Sequence, residues 1–392
     1  MSEPAPRIGE MPPTRVLLVA GEASGDMHAA DLVRALRSRL PRLEVIGIGG
    51  PNLRREGMRL VGDAEELATV GIVEGVGRLR ALWRAYRGLT RILRTERPNL
   101  CILVDFPEFN LRLARAAKRA GIPVFYYIGP QIWAWRRGRA RTIAGRVDDL
   151  ALVFPFEPTL YHPWLPRARF VGHPLIDRVQ VPDNRHAIVE RLDLDPGKRI
   201  LLLLPGSRMK EIQYLLPSFL GAVDRLGKRD DLQVVLALAP TLERSGIDEL
   251  IRDTQVPIQV RAGATYDLMA AADLALVTSG TATLECALLA CPMVIAYRLS
   301  PVTMAVARML VRGVEYIGMP NIIAGRRIVP ELVQREVSPA RLAAEAEAIL
   351  DDEPRRLAMI EDLRAVRTLL GDAGAAERAA DMAAALVRTR SE

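Results

Sequence analysis

The sequence is poor in cysteine and histidine, with three of the one and four of the other. Its three cysteines, Cys101, Cys286 and Cys291, each sit in an apolar run and form no CxxC pair. That excludes a disulfide scaffold and predicts reduced core thiols in a reducing compartment. No His or carboxylate cluster stands beside them at ligand spacing, so no metal centre is expected there. No GK[ST] occurs, and no GxGxxG follows the first strand pattern; Gly47-Ile48-Gly49 is left incomplete by Asn52. The triphosphate loop and the dinucleotide fingerprint are thereby removed. No apolar run reaches the roughly twenty unpunctuated residues of a membrane span, and the proline-rich residues 1–13 lack the apolar centre of a signal peptide. A cytoplasmic protein is expected. Acids are the minority charge, 47 against 54 Lys and Arg, giving +7 over 392 residues. The excess favours anionic partners: phosphates, acidic lipid or nucleic acid.

With 49% hydrophobic and 26% charged residues, the chain has core enough for two domains of ordinary size. Near-continuous apolar strands are predicted over 15–20, 43–48, 100–105, 123–128 and 150–154. A second series runs over 199–204, 233–239, 257–260, 274–277 and 293–297. Helical segments separate them, the first near 26–40. Such alternation predicts an α/β fold: two Rossmann-like doubly wound domains of parallel strands, facing each other across a cleft, with C-terminal helices. The expected division is a loose tail at 1–13, domains at 14–180 and 181–337, and a helical tail at 338–392. The polar stretch 171–198, with Pro174, Pro182 and Pro196, reads as a linker. Ligands of such sheets bind beyond the carboxyl ends of the strands, where the chemical motifs fall.

The most informative stretch is the least charged. Between Asp273 and Arg298 the only charge is Glu285. A strand, a Ser279-Gly280 turn, a helix from Thr281, a stop at Cys291-Pro292 and a second strand replace any reading as a span. Free N–H groups at the helix start suit a phosphate, and Glu285 can accept from both hydroxyls of a ribose. After the strand 199–204, Pro205-Gly206-Ser207-Arg208 puts a guanidinium where it can grip a diphosphate by two parallel bonds.

Three motifs end strands in the first half. Gly21-Glu22-Ala23-Ser24-Gly25-Asp26 opens the first helix, with Ser24 or Asp26 as its cap and Glu22 as a cleft acid. Asp105 follows four apolar residues, a setting that raises a carboxyl pKa and suits a general base acting on an alcohol. Glu108 is the alternative base, and Asn110 reads as a cap. Gln131, Trp133 and Trp135 follow Gly129-Pro130 and could stack on a sugar or line an acyl channel, or form a plain core or lid. Arg136, Arg137, Arg139 and Arg141 come next, a solvated face by default.

Residues 78–97 form a basic amphipathic helix pattern. Leu79, Leu82 and Trp83 mark the apolar side, which Val73 and Val76 extend, and Arg80 and Arg84 the basic side. The helix packs on the sheet or lies on anionic lipid with Trp83 at headgroup depth.

Eight blocks in order resemble the lipid-A-disaccharide synthase family. They are GEASGD (21–26), VDFPEFN (104–110), WAWR (133–136), FVGHP (170–174), LLPGSR (203–208), SGTATLE (279–285), CPMVIAYR (291–298) and MPNIIAGR (319–326). The resemblance implies a GT-B-like pair of domains that joins UDP-2,3-diacylglucosamine to 2,3-diacylglucosamine 1-phosphate. The products would be a β-1,6 disaccharide 1-phosphate and UDP, formed with inversion. It matches Asp105 to the base and Arg208, Glu285 and Asn321 to donor-site positions. It implies no cofactor, metal or nucleic-acid partner, and a peripheral place on the anionic cytoplasmic face of the inner membrane. Gly129, Phe106 and Glu108 depart from residues typical of the family, which bears on acceptor-side detail. A homodimer, by exchange of the C-terminal helices or otherwise, stays open. Two rivals remain: a UDP-sugar 2-epimerase on the same two-domain plan, and a non-catalytic binder of nucleic acid or anionic lipid.

Overall fold

The computed structural model describes residues 13–63, 75–135, 137–180, 184–227, 229–299 and 315–389. These form two compact units. One holds the described residues up to Pro174 together with those from Gly371 onward; the other is Leu175–Leu370.

Among the described residues, the first unit is built on seven strands: β1 (Thr14–Ala20), β2 (Leu43–Gly49), β3 (Arg59–Asp63), β4 (Leu100–Val104), β5 (Val124–Tyr127), β6 (Asp149–Leu152) and β7 (Ala168–Phe170). They lie in the order β3-β2-β1-β4-β5-β6-β7. The described residues of the second unit hold six: β8 (Arg199–Leu204), β9 (Leu232–Leu238), β10 (Ile258–Ala262), β11 (Leu274–Thr278), β12 (Met293–Tyr297) and β13 (Glu331–Val333), in the order β10-β9-β8-β11-β12-β13. Every ladder is parallel, and both units are α/β as expected. All five residues of LCILV in β4 and of LALVT in β11 are buried. Without alternation, each strand must be covered on both faces. The edge strands β3, β7 and β13 escape the sequence reading because they are short and carry no continuous apolar run.

Winding reverses twice. In the first sheet the chain steps outward from β1 to β3 and then crosses back to place β4 on the other side of β1. In the second, β8 and β11 are the equivalent pair. The crevice at such a reversal, beyond the carboxyl ends of the two strands, is where doubly wound sheets hold ligands.

The helices after Ser338 serve both units. Pro339–Leu350 packs on Met209–Leu226, close enough that a Cβ on Gly221 would lie 2.8 Å from the Pro339 ring. Ala375–Arg388 instead packs on Ala23–Arg37 of the first unit. Its buried face is Ala376, Ala379, Ala380 and Ala383, small side chains that let two helices approach closely. Arg39 and Asp381 close the contact with an ion pair of 2.6 Å. The three cysteines are buried and unpaired, and burial pushes the Cys101 thiol up to about 12. Among the described residues no helix is long and apolar enough to cross a membrane.

Candidate active site

In the first unit Ala20 pairs with Val104, so Gly21-Glu22 and Asp105 leave adjacent strands at the reversal. The chain turns sharply there. Asp105 and Phe106 both take left-handed backbone angles, φ +47° and +48°, a conformation that non-glycine residues keep only when their surroundings enforce it. The enforcement is visible. The carbonyl of Asp105 accepts from the Tyr126 hydroxyl at 2.6 Å and from the Asn110 amide at 2.7 Å. Phe106 swings over Gly21, where a Cβ would fall 2.4 Å from its ring, so glycine is required at that point. Asn110 is therefore a buried clamp inside the helix Pro107–Arg119 and not its cap.

The Asp105 carboxyl is pushed up to about 6, first by burial and then by the negative charge of Glu22, with the Phe106 N–H opposing. Glu108 is exposed and held by Arg139 through both oxygens, at 2.7 and 3.1 Å. A carboxylate fixed to a guanidinium is a poorer proton acceptor than one that burial has made basic. Of the two acids in this motif, Asp105 is the one whose carboxyl is raised by burial, and Glu108 the one paired with a guanidinium.

The neighbouring residues separate. Glu22 and Ser24 are exposed at the start of Ala23–Arg37, and no side chain caps that helix. Asp26 is buried and turned elsewhere. It accepts from the backbone N–H groups of Gly50, Asn52 and Leu53 at 2.6, 2.9 and 3.2 Å, and so holds the start of Pro51–Arg55. Gln131 is exposed after the Gly129-Pro130 turn, which the Tyr161 hydroxyl pins at the Pro130 carbonyl. Trp133 is buried edge-on to Phe154 and Phe156, which stack on each other at 5.7 Å. Beside them the buried Glu157 accepts from the N–H groups of Val153 and Phe154, and burial pushes its carboxyl up to about 8. Arg136 and the side chains of Trp135 and Arg137 lie outside the described residues.

In the second unit Leu204 pairs with Val277, and the hydroxyl of Thr278 donates 2.9 Å to the Pro205 carbonyl. This bond ties the Pro205–Arg208 loop to the Ser279-Gly280-Thr281 turn. Glu211 reaches back to the N–H groups of Ser207 and Arg208, and Thr241 holds the Ser207 carbonyl at 2.6 Å. Arg208 then projects above the braced loop with 83% of its side chain exposed, one guanidinium nitrogen lying 3.5 Å from Oε1 of Glu211. The Ser279 hydroxyl donates to the Ile317 carbonyl. A Cβ on Gly280 would meet nothing within 4 Å, so the backbone there is open to an incoming group. Two helices, Met209–Leu226 and Thr281–Leu288, begin at these loops. Their amide ends favour negative charge. Glu285 lies on the second of them, its carboxyl raised by burial and lowered in part by Tyr266.

Asn321 is fully buried, and its amide is saturated inside the protein. It donates to the Val329 carbonyl (2.9 Å) and to Oε1 of Glu331 (2.7 Å), and accepts from the N–H groups of Ile328 (2.7 Å) and Val329 (3.0 Å). Glu331 in turn accepts from Ile317 and Gly318, both at 2.9 Å. This clamp shapes the segment that receives the Ser279 hydroxyl. Tyr266 and Glu331 escaped the sequence reading, since neither lies in a glycine-rich turn.

On the helix Gly75–Thr95, Trp83 is 58% exposed with the Arg87 guanidinium 4.4 Å from its ring centre. Arg80 and Arg84 are exposed as well, while Leu82 turns inward to pack on the core of the first sheet. Val73 and the side chains of Val76 and Leu79 lie outside the described residues.

Comparison with known proteins adds the family. The profile described as lipid-A-disaccharide synthetase matches residues 16–385. A lipid-A-disaccharide synthase of Syntrophus aciditrophicus is 46% identical over 375 residues, covering 95% of this chain and 98% of its own. Among solved structures, a putative UDP-N-acetylglucosamine 2-epimerase of Listeria monocytogenes aligns with a TM-score of 0.64 at 15% identity, covering 94% of this chain and 95% of its own. The calicheamicin glycosyltransferase CalG4 aligns at 0.62 and 15%, covering 97% and 100%. The fold is thus shared by epimerases and glycosyltransferases alike and does not choose between them, whereas the sequence match does.

Proposed function

The chain belongs to the lipid-A-disaccharide synthase family of glycosyltransferases, and from that premise we propose that it joins UDP-2,3-diacylglucosamine to 2,3-diacylglucosamine 1-phosphate with inversion. The first unit carries the acceptor and the base; the second carries the nucleotide. Asp105 takes the proton of the acceptor's 6-hydroxyl as that oxygen attacks the anomeric carbon. The bond from that carbon to UDP breaks, and its electrons leave with the β-phosphate. An α-linked donor thereby becomes a β-1,6 product. Arg208 and the N–H groups at Ser279–Thr281 receive the growing phosphate charge, and preorganised donors of this kind are commonly the largest single contribution to catalysis. Glu285 anchors the ribose. Asn321 acts from behind, by shaping the segment beside Ser279.

The observation that carries this reading is Asp105, a carboxyl raised to about 6 at the end of β4 and held by a strained, doubly clamped turn. A base is most useful when its pKa lies near the working pH. Mass spectrometry of products from the two diacylated substrates tests the reaction. A disaccharide 1-phosphate and one UDP per turnover are expected, with the β linkage read by NMR. Turnover of the donor alone, without acceptor, would point to the epimerase.

Lipid substrates call for a lipid surface. Exposed Trp83 with Arg80 and Arg84 supports docking on an anionic membrane. Sedimentation with phosphatidylglycerol vesicles, weakened by salt and by the pair of substitutions R80A and R84A, is the expected result. Binding that ignores both would remove the docking proposal.

A further inference from the structure

The carboxylate of Glu285 has a protein partner. The hydroxyl of Tyr266, on the helix Thr265–Ala271 that follows β10, donates 3.0 Å to its Oε1. Both side chains are half-buried, so the bond is shielded from competing water without being sealed from a ligand. Burial raises the Glu285 carboxyl, and the Tyr266 bond opposes that rise. Burial, and then the negative charge of Glu285, raise the Tyr266 phenol in turn, with Arg178 opposing. The phenol therefore keeps its proton and remains a donor throughout the physiological range.

We propose that Tyr266 is a positioning residue for nucleotide recognition: it holds Glu285 as an oriented acceptor, so that the site prefers a ribonucleotide over its 2′-deoxy counterpart. The inference rests on the reading of Glu285 as the ribose anchor. An ionised carboxylate offers about four lone-pair sites. One goes to Tyr266, and the remainder suffice for two ribose hydroxyls. Without the phenol, the buried carboxyl turns freely and takes up a proton more readily. It then presents a hydroxyl where the ribose also presents hydroxyls. A merely structural Tyr266 would instead affect both nucleotides alike, since packing of the ring does not depend on which sugar is bound.

The test is calorimetric titration of the full-length protein with UDP and with 2′-deoxy-UDP, in the wild type, Tyr266→Phe and Glu285→Gln. Wild type is expected to prefer UDP by about tenfold, the effect of one hydrogen bond to a charged group. Tyr266→Phe keeps the ring and should lose most of that preference through weaker UDP binding, with the 2′-deoxy affinity and the melting temperature nearly unchanged. Glu285→Gln should lose the preference as well. If Glu285→Gln erases the preference while Tyr266→Phe keeps it, or weakens both ligands equally, the role of Tyr266 is overturned. If Glu285→Gln leaves the preference intact, the ribose-anchor reading itself fails, whatever Tyr266→Phe does.

Discussion

Glu22 and Asp105 leave the adjacent strands β1 and β4 at the reversal of the first sheet, and the charge of Glu22 joins burial in holding the Asp105 carboxyl near 6. Two acids placed together at a strand end work against folding. The arrangement persists because the turn around Asp105 is over-determined by Tyr126, Asn110 and the Phe106–Gly21 contact. Such a conflict between stability and placement is what a base poised near neutral pH requires.

Replacing Asp105 by Asn should lower kcat by about 10²–10⁴-fold, the range of general-base catalysis, while UDP binding measured by calorimetry stays within twofold. The same substitution should stabilise the protein. The folded-state pKa of about 6 lies above the ordinary 3.8, so the native state holds this proton more tightly than the unfolded chain. The penalty for ionisation therefore grows between those two values and is complete above them. Urea melts should show Asp105→Asn gaining on the order of 2–3 kcal/mol at pH 8 and nothing at pH 3. Equal stability at both pH values would refute the burial argument.

Glu22→Gln removes the like charge and leaves the burial. The acidic limb of kcat/KM, expected near pH 6 in the wild type, should then move to lower pH. A limb that stays in place would show that Glu22 does not tune the base.

Arg208→Lys keeps the charge but loses the planar fork. Because the loop is braced by Glu211, Thr241 and Thr278, the fold should be unaffected. The Kd for UDP is expected to rise about tenfold, as parallel bonds to a diphosphate give way to a point charge. Unchanged affinity would place the diphosphate elsewhere.

Asn321→Ala should act in the opposite manner. Deleting the amide takes the partner from two buried backbone N–H groups and from the Val329 carbonyl, while Oε1 of Glu331 keeps the Gly318 N–H. The expected cost is on the order of 2–4 kcal/mol of stability, read as a lower melting temperature. UDP affinity at low temperature should fall less than for the Arg208 variant. A stable protein that had lost UDP binding would make Asn321 a direct ligand contact.

Much of this was legible in the residues themselves. The unbroken apolar runs in β1, β4, β8 and β11 announced parallel strands covered on both faces, and the motifs with chemistry stood at their carboxyl ends. The strands β3, β7 and β13 were not legible, because RLVGD, ARF and ELV are short and interrupted by charge, leaving no apolar run to detect. Nor were the fates of individual polar groups. Asp26, Asn110 and Asn321 look as available in the sequence as Glu22 or Arg208, yet each is committed to backbone groups inside its unit.

What the amino-acid sequence determined by itself was the central strands and helices, because hydrophobic periodicity and local turn chemistry act over a few residues, and the family, through its eight ordered motif blocks. Tertiary structure alone decided the strand order that brings Glu22 to Asp105 across 83 positions and joins Thr278 to the loop after β8. It also decided which acid has its pKa raised. Desolvation and neighbouring charge set a pKa, and both depend on what folds around a residue rather than on what precedes it. The same holds for Tyr266: only the packing of its helix against Thr281–Leu288 brings its hydroxyl to the carboxylate of Glu285.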